Sequence, residues 1–97
     1  MKSESSLEQS VCHYVKLCHG RAFKFVSPGT PGVPDRICLF PDGVIVFVEL
    51  KRPGVKDGRS PRQIKMFKVI SDLGFECWRV NNLQWFKERL HDLGIHP

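Results

Sequence analysis

Two carboxylates and one amine occur in this sequence in an order that suits metal-assisted hydrolysis. Asp35 ends the run Gly32-Val33-Pro34-Asp35, and Glu49 and Lys51 follow within Val48-Glu49-Leu50-Lys51. Carboxylate oxygens are ligands that Mg²⁺ and Mn²⁺ prefer, and a bound divalent ion lowers the pKa of the attacking water. A nearby ammonium neutralises charge that develops in the transition state. The three residues together therefore predict metal-dependent hydrolysis of a phosphodiester.

The second carboxylate and the amine lie at the end of a strand-like run. Residues 44–50 are apolar, and mostly β-branched or aromatic, except for Glu49. Side chains alternate between the two faces of a strand, so Glu49 and Lys51 share one face while Leu50 points to the other. A lone carboxylate in such a strand costs several kcal/mol unless it is paired or bound to a metal. We expect Glu49 and Lys51 to lie side by side.

A predicted hairpin brings the first carboxylate to the other two groups. Residues 36–40 form a second strand-like run, and Pro41-Asp42-Gly43 separates it from the strand that carries Glu49. Asp-Gly between two apolar runs is a strong hairpin signal because glycine adopts positive φ without steric cost. The turn places the start of one strand opposite the end of the other. Asp35 should therefore lie beside Glu49.

The remaining pattern predicts three helices and two further strands. Helices are expected over about 7–19, 61–73 and 83–93, and strands over 21–26 and 75–80. A Gly/Pro-rich loop over 27–32 precedes Asp35, and a polar, basic loop over 53–59 resembles a substrate-facing flap. The buried stripe of the second helix is expected to comprise Ile64, Phe67, Ile70 and Leu73. The order α-β-β-β-α-β-α predicts an α/β fold in which helices flank a mixed central sheet.

Length and charge limit the functional classes. The 97 residues are enough for one domain, and no run approaches the roughly 20 apolar residues of a membrane span or the apolar core of a signal peptide. A soluble intracellular protein without a membrane partner is expected. The net charge is +5, and a cluster of basic residues follows Glu49, which favours a polyanionic partner; solvation of a helix face is the competing interpretation. The basic cluster comprises Lys51, Arg52, Lys56, Arg59, Arg62, Lys65 and Lys68.

The cysteines and histidines show no pattern typical of a metal site or a disulfide framework. The pairs Cys12-His13 and Cys18-His19 are six residues apart, about 240° around a helix, so they should face apart. Cys18, Cys38 and Cys77 occupy apolar positions, where a reduced thiol packs as a small hydrophobe. We expect neither a zinc site nor disulfides.

Four blocks of the sequence resemble the VRR-Nuc family, the virus-type replication-repair nucleases of the PD-(D/E)xK superfamily. The blocks are Glu8, Gly32-Val33-Pro34-Asp35, Glu49-Leu50-Lys51 and Ser60-Pro61-Arg62-Gln63, and they occur in the family's order over nearly the whole chain. The resemblance implies a restriction-endonuclease-like core and a single nuclease domain over 1–97, of the stand-alone type found in bacteriophages. It also implies an Mg²⁺- or Mn²⁺-dependent endodeoxyribonuclease that needs no small-molecule cofactor and acts inside a bacterial host cell.

The resemblance also assigns roles to individual residues. It implies an active site of Glu8, Asp35, Glu49, Lys51 and Gln63. The expected metal ligands are Glu8, Asp35, Glu49 and the main-chain carbonyl of Leu50. Simpler roles remain open. Asp35 could be a turn residue, and Lys51 could form a salt bridge with Glu49 and have no catalytic role. Ser5-x-x-Glu8 and Ser60-x-x-Gln63 both match the capping box of a helix start, in which Glu8 and Gln63 would only cap their helices.

The substrate implied by the resemblance is branched DNA, such as a four-way (Holliday) junction, cut by a homodimer because such a junction needs two symmetric cuts. Four-way junctions, flaps and splayed arms all remain open, as does the use of one metal ion or two. The last helix and exposed aromatic residues are candidates for the dimer surface. Two alternatives are a non-catalytic nucleic-acid-binding module and a restriction-type nuclease that reads a short sequence.

Overall fold

A computed structural model describes residues 4–51 and 58–97 of the chain, apart from the side chains of residues 4 and 5. It contains seven main elements in the predicted order, so the sequence prediction of an α-β-β-β-α-β-α arrangement is confirmed. These elements are α1 (Glu4–Leu17), β1 (Arg21–Lys24), β2 (Arg36–Phe40), β3 (Val44–Leu50), α2 (Pro61–Asp72), β4 (Glu76–Val80) and α3 (Leu83–Asp92).

The four strands form one mixed sheet in the order β1-β2-β3-β4. The first three strands are antiparallel, and β4 runs parallel to β3 after the crossover through α2. The hairpin between β2 and β3 turns at Pro41–Gly43, where Asp42 and Gly43 have φ angles of 67° and 76°. Its register pairs Phe40 with Val44 and Arg36 with Val48, which confirms the predicted hairpin.

One face of the sheet holds the main hydrophobic core. Of the even-numbered residues of β3, Val46, Val48 and Leu50 are buried in a core shared with α1 and α3, and Val44 is partly buried there. Full burial of each large apolar side chain contributes roughly 1.5–3 kcal/mol to folding. The core residues include Leu7, Val11 and Val15 of α1, Val46, Val48 and Leu50 of β3, and Phe86 and Leu90 of α3.

The opposite face carries Glu49 and is only partly covered by α2. Phe67 and Ile70 of α2 are buried, as predicted, but Ile64 and Leu73 are 51% and 71% exposed. The prediction that all four form a buried stripe was therefore wrong. Successive residues three apart rotate by about −60° on a helix, so four of them span about 180°. A helix that packs at one edge of a sheet buries only the middle two.

Two element boundaries also differ from the sequence prediction. α1 ends at Leu17 rather than at His19, and His19 itself adopts a left-handed φ of 66°. Gly20 is needed for a different reason, because a Cβ atom there would overlap the main-chain oxygen of Leu39. β1 ends at Lys24, two residues earlier than expected.

The four cysteines are free thiols, and Cys18 and Cys38 are buried as the apolar pattern indicated. Burial raises the pKa of Cys38 to about 12. Within the ranges 4–51 and 58–97, no helix is long and apolar enough to cross a membrane.

Candidate active site

The hairpin brings Asp35 to the end of β3. Asp35 directly precedes β2, and its carboxylate oxygen Oδ2 accepts a hydrogen bond of 2.8 Å from the main-chain N–H of Leu50. Continuing the β2–β3 register by one residue from the pair Arg36–Val48 sets Asp35 opposite Glu49. The side chain of Asp35 is exposed, so it is accessible to a ligand from solvent.

Glu49 is a buried carboxylate with two stabilising partners. The residue is only 3% exposed. Its Oε2 atom lies 3.0 Å from the Lys51 ammonium and accepts a hydrogen bond of 2.9 Å from Nε2 of Gln63. The predicted pairing of Glu49 and Lys51 on one face of β3 is confirmed. These contacts offset the cost of taking a charged group out of water.

Gln63 has both of the contacts that the sequence left as alternatives. Its Oε1 atom accepts a 2.9 Å hydrogen bond from the Ser60 main-chain N–H, and the Ser60 hydroxyl accepts one from the Gln63 main-chain N–H, which completes a capping box. The amide nitrogen of the same side chain donates to Glu49. The start of α2 and the position of the Glu49 carboxylate are thus fixed by one side chain.

Gly32 holds the loop before Asp35 directly against the first turn of α2. It has a φ of 87°, and a Cβ atom at this position would lie only 2.7 Å from the carbonyl carbon of Arg62 and 3.0 Å from the main-chain nitrogen of Gln63. Only glycine meets both conditions. The sequence motif contained this glycine, but the contact that requires it is made between distant segments and was not predicted.

Glu8 reaches the same region from α1. Its Oε2 atom lies 2.8 Å from Nε of Arg36, the residue after Asp35, and both side chains are partly buried. Ser5 lies within α1 and not at the position before the helix, where an N-cap residue stands, so the capping-box alternative for Glu8 is not supported. Glu8 and Asp35 line a common cleft.

Two residues beside Glu49 were not anticipated as part of the site. Arg79 of β4 is the cross-strand neighbour of Glu49. Cys77 lies close enough to Glu49 and Arg59 for both charges to act on its thiol; burial, reinforced by the Glu49 carboxylate, raises the pKa of Cys77 to about 12. The alternation of Cys77 and Arg79 with the buried Trp78 and Val80 was the available sequence signal, since it places both on the Glu49 face.

The donor chemistry of this region fits Mg²⁺ or Mn²⁺. Asp35 and Glu49 offer carboxylate oxygens from adjacent strand ends, and the main-chain carbonyl of Leu50 is a further oxygen at the same strand end. In the described part of the chain, however, no three or more His, Cys, Asp or Glu side chains converge on one point. The predicted roles of Asp35, Glu49, Leu50 and Glu8 as ligands remain predictions.

Part of the expected basic surface lies on α2, the helix whose first turn carries Gln63. Arg62, Lys65 and Lys68 are exposed on α2, and Lys68 pairs with Asp72 at 2.8 Å. The guanidinium of Arg59 lies 5.4 Å from the centre of the Phe67 ring. Arg52, Lys56 and most of the predicted flap over 53–59 lie outside the described residues.

The chain is similar to a phage protein and to a solved domain. It is 42% identical over 73 residues to "Putative nuclease p44" of Acyrthosiphon pisum secondary endosymbiont phage 1, and the match covers 75% of this chain and 76% of that protein. Its fold matches a solved VRR-Nuc domain with a TM-score of 0.83 and 22% identity, over 95% of this chain and 97% of the other. No protein-family model matches the chain.

Proposed function

Because this chain belongs to the VRR-Nuc family of nucleases, we propose that it is an Mg²⁺- or Mn²⁺-dependent endonuclease that hydrolyses phosphodiester bonds of branched DNA. The phage relative is named as a nuclease, and the fold is that of a VRR-Nuc domain. The net charge of +5 suits a polyanionic substrate. Four-way junctions are the branched substrate that we propose to test first.

The observation that carries this proposal is the environment of Glu49. A carboxylate that is 3% exposed, on a strand with apolar neighbours, is held by an ammonium at 3.0 Å and an amide at 2.9 Å. Structure alone does not require such a group, because an apolar residue would fill the same space at lower cost. The arrangement is explained if Glu49 and the adjacent Asp35 present oxygens to a divalent ion.

Each residue then has a distinct task. Asp35, Glu49 and the Leu50 carbonyl would hold the ion, with Glu8 contributing directly or through water. The ion, when bound, supplies a Lewis acid that activates water and neutralises phosphate charge. Lys51 orients the attacking water and stabilises the negative charge that develops on the phosphate. Gln63 keeps the Glu49 carboxylate in place through its amide hydrogen bond.

The assembly and setting of the enzyme follow from this substrate. Residues 1–97 form one nuclease domain, and two copies act as a homodimer because a four-way junction has two symmetric strands to cut. The natural substrate is the DNA of an infected bacterial cell, so the enzyme acts inside its host. No small-molecule cofactor takes part in the reaction.

The test is cleavage of a labelled synthetic four-way junction and of its matching linear duplex, each with Mg²⁺, Mn²⁺ or EDTA. Wild-type protein should make symmetric cuts in the junction that require metal, and Lys51→Ala should make none. Lys16→Ala, which removes an exposed lysine of α1, is the matched control and should cut normally. Binding without a cut under every metal condition would instead indicate a non-catalytic DNA-binding module. Cutting of the duplex at one short sequence would indicate a restriction-type enzyme.

A further inference from the structure

A cleft opens beside Asp35 at the edge of the sheet. Its volume is about 260 Å³, and none of the predicted roles uses its far wall. Two of its lining residues, Glu8 and Asp35, belong to the candidate active site. The others come from the end of β1 and the residues that follow it. The lining residues are Glu8, Lys24, Phe25, Val26 and Asp35.

Phe25 is held directly across from Asp35. Its main-chain N–H donates a 2.9 Å hydrogen bond to the carbonyl oxygen of Asp35, so these two residues extend the β1–β2 pairing by one residue beyond Lys24 and Arg36. Neighbouring strands are about 4.8 Å apart. The Phe25 ring packs against the Phe47 ring, with 5.8 Å between the ring centres. Phe25 is partly exposed, and Val26 is 75% exposed. An apolar surface therefore borders a predicted metal ligand.

The cleft also carries a positive charge at its rim. Lys24 is exposed and lies opposite Arg36 in the β1–β2 ladder. The Arg36 guanidinium binds Glu8 at 2.8 Å, so part of its charge is already balanced within the protein. Lys24 is the lysine that lines the cleft. Lys24 and Phe25 are consecutive, so their side chains leave the edge strand on opposite faces, yet both residues line the cleft. An aromatic residue and a lysine in one groove are a combination by which proteins bind bases and phosphates of a nucleic acid.

We propose that this cleft binds the nucleotide next to the scissile phosphate, with its base against Phe25 and its phosphate near Lys24. The inference rests on the proposed nuclease function and adds a source for its preference for branched DNA. A base inside a linear duplex is stacked on both sides and cannot pack against a protein ring. At a branch point the stack is interrupted, so a base there is available to Phe25 at little cost.

The test is a measurement of DNA affinity in EDTA, where the absence of metal prevents cleavage. Phe25→Leu keeps apolar bulk but removes the aromatic ring. Its matched control is Phe23→Leu, since Phe23 lies two residues earlier on β1 and is also about half exposed, at 46%. Lys24→Gln tests the charge, with Lys16→Gln as its control. Affinity is measured for a four-way junction and for the linear duplex, over a range of salt concentrations.

Phe25→Leu should weaken binding to the junction by about 5- to 150-fold, the range for loss of one base–aromatic stack, and leave duplex binding and the salt dependence unchanged. Lys24→Gln should reduce the slope of log affinity against log salt by about 0.7–0.9. A fluorescent 2-aminopurine at the branch should be quenched on binding to the wild type and not to Phe25→Leu.

Several outcomes would overturn the proposal. The affinity of Phe25→Leu for the junction could equal that of the wild type, or fall no further than the affinity of Phe23→Leu. The variant could also lose affinity for the junction and the duplex equally. A change in sedimentation instead of DNA affinity would identify the cleft as a contact between two copies of the chain. These measurements do not depend on cleavage, so they can refute the proposed nucleotide-binding cleft without refuting the nuclease function. The nuclease function is tested separately, with metal and wild-type protein.

Discussion

Replacing Gln63 by Glu tests the geometry of the active site without removing the helix cap. Glutamate suits the third position of a capping box as well as glutamine does, so its oxygen still accepts the Ser60 N–H hydrogen bond. The amide nitrogen Nε2, which donates a hydrogen bond to Glu49, is replaced by the second oxygen of a carboxylate. In the wild type, this nitrogen lies 2.9 Å from Oε2 of Glu49. The variant therefore sets two negative charges against each other beside Lys51.

The size of the effect follows from this distance. Two like charges 2.9 Å apart repel by about 6 kcal/mol at an effective dielectric constant of about 20, and by about 1.4 kcal/mol in water. Because Glu49 is buried and Gln63 is partly exposed, an intermediate destabilisation of about 3 kcal/mol is expected at pH 8. The ammonium of Lys51 offsets some of the repulsion, and its contribution is the same at both pH values used below.

The repulsion also makes stability depend on pH. Two adjacent carboxylates favour sharing one proton, so one of the pair titrates above the ordinary glutamate pKa of about 4.3 in the folded variant. A folded-state pKa that is raised gives stability that is present at low pH and lost as pH rises. The destabilisation of Gln63→Glu relative to wild type should therefore be smaller at pH 5 than at pH 8.

The assay is urea unfolding in EDTA at both pH values, with Gln63→Ala as the control. Gln63→Ala loses the hydrogen bond to the Glu49 carboxylate but adds no charge, so it should cost about 1.5–3 kcal/mol with little change between pH 5 and pH 8. Equal destabilisation of Gln63→Glu at the two pH values would refute the contact between this side chain and Glu49.

Three further predictions follow from particular contacts. Gly32→Ala should destabilise the protein by about 2 kcal/mol or more in urea unfolding and should impair cleavage. Gly29 has a similar φ of 81°, but a Cβ atom added there would have no neighbouring atom within 4 Å. Gly29→Ala should therefore show only the cost of placing alanine at positive φ. The 2.8 Å ion pair of Arg36 and Glu8 should stabilise the fold, so a double-mutant cycle of Arg36→Gln with Glu8→Gln should give a coupling energy of about 1 kcal/mol. Additive changes in the free energy of unfolding would contradict a stabilising ion pair. Burial raises the pKa of Cys38 to about 12 from 9.0, so wild-type stability should fall as pH rises from 9 towards 12, by up to about 1.4 kcal/mol per pH unit for this thiol, and Cys38→Ala should remove that part of the slope in unfolding measurements.

Local sequence patterns were sufficient to predict the elements and the central geometry. Asp42-Gly43 specified the hairpin, and alternation along β3 specified that Glu49 and Lys51 share a face. These are short-range effects: a turn and a two-residue repeat decide them. The order of helices and strands followed for the same reason.

Contacts between distant segments could not be predicted in this way. Sequence reasoning gave Gln63 two alternative roles, and only the packing of α2 shows that its two ends serve both. The need for glycine at position 32 arises from the approach of a loop to α2, and Arg79 joins the site through the parallel pairing of β4 with β3. The exposure of Ile64 likewise reflects how little of α2 the sheet covers.

The most direct test of the central claim is cleavage of a four-way junction by Asp35→Asn with Mg²⁺ present. Asparagine keeps an oxygen that can accept the Leu50 N–H hydrogen bond, so the fold is retained while the charge is lost. Asp42→Asn makes the same change at an exposed turn residue of positive φ, which asparagine tolerates, and serves as the control. We predict that Asp35→Asn binds the junction but cuts it at least about 100-fold more slowly, a loss of at least about 2.7 kcal/mol of transition-state stabilisation, while Asp42→Asn cuts normally. Cleavage by Asp35→Asn at the wild-type rate would contradict the assignment of this site.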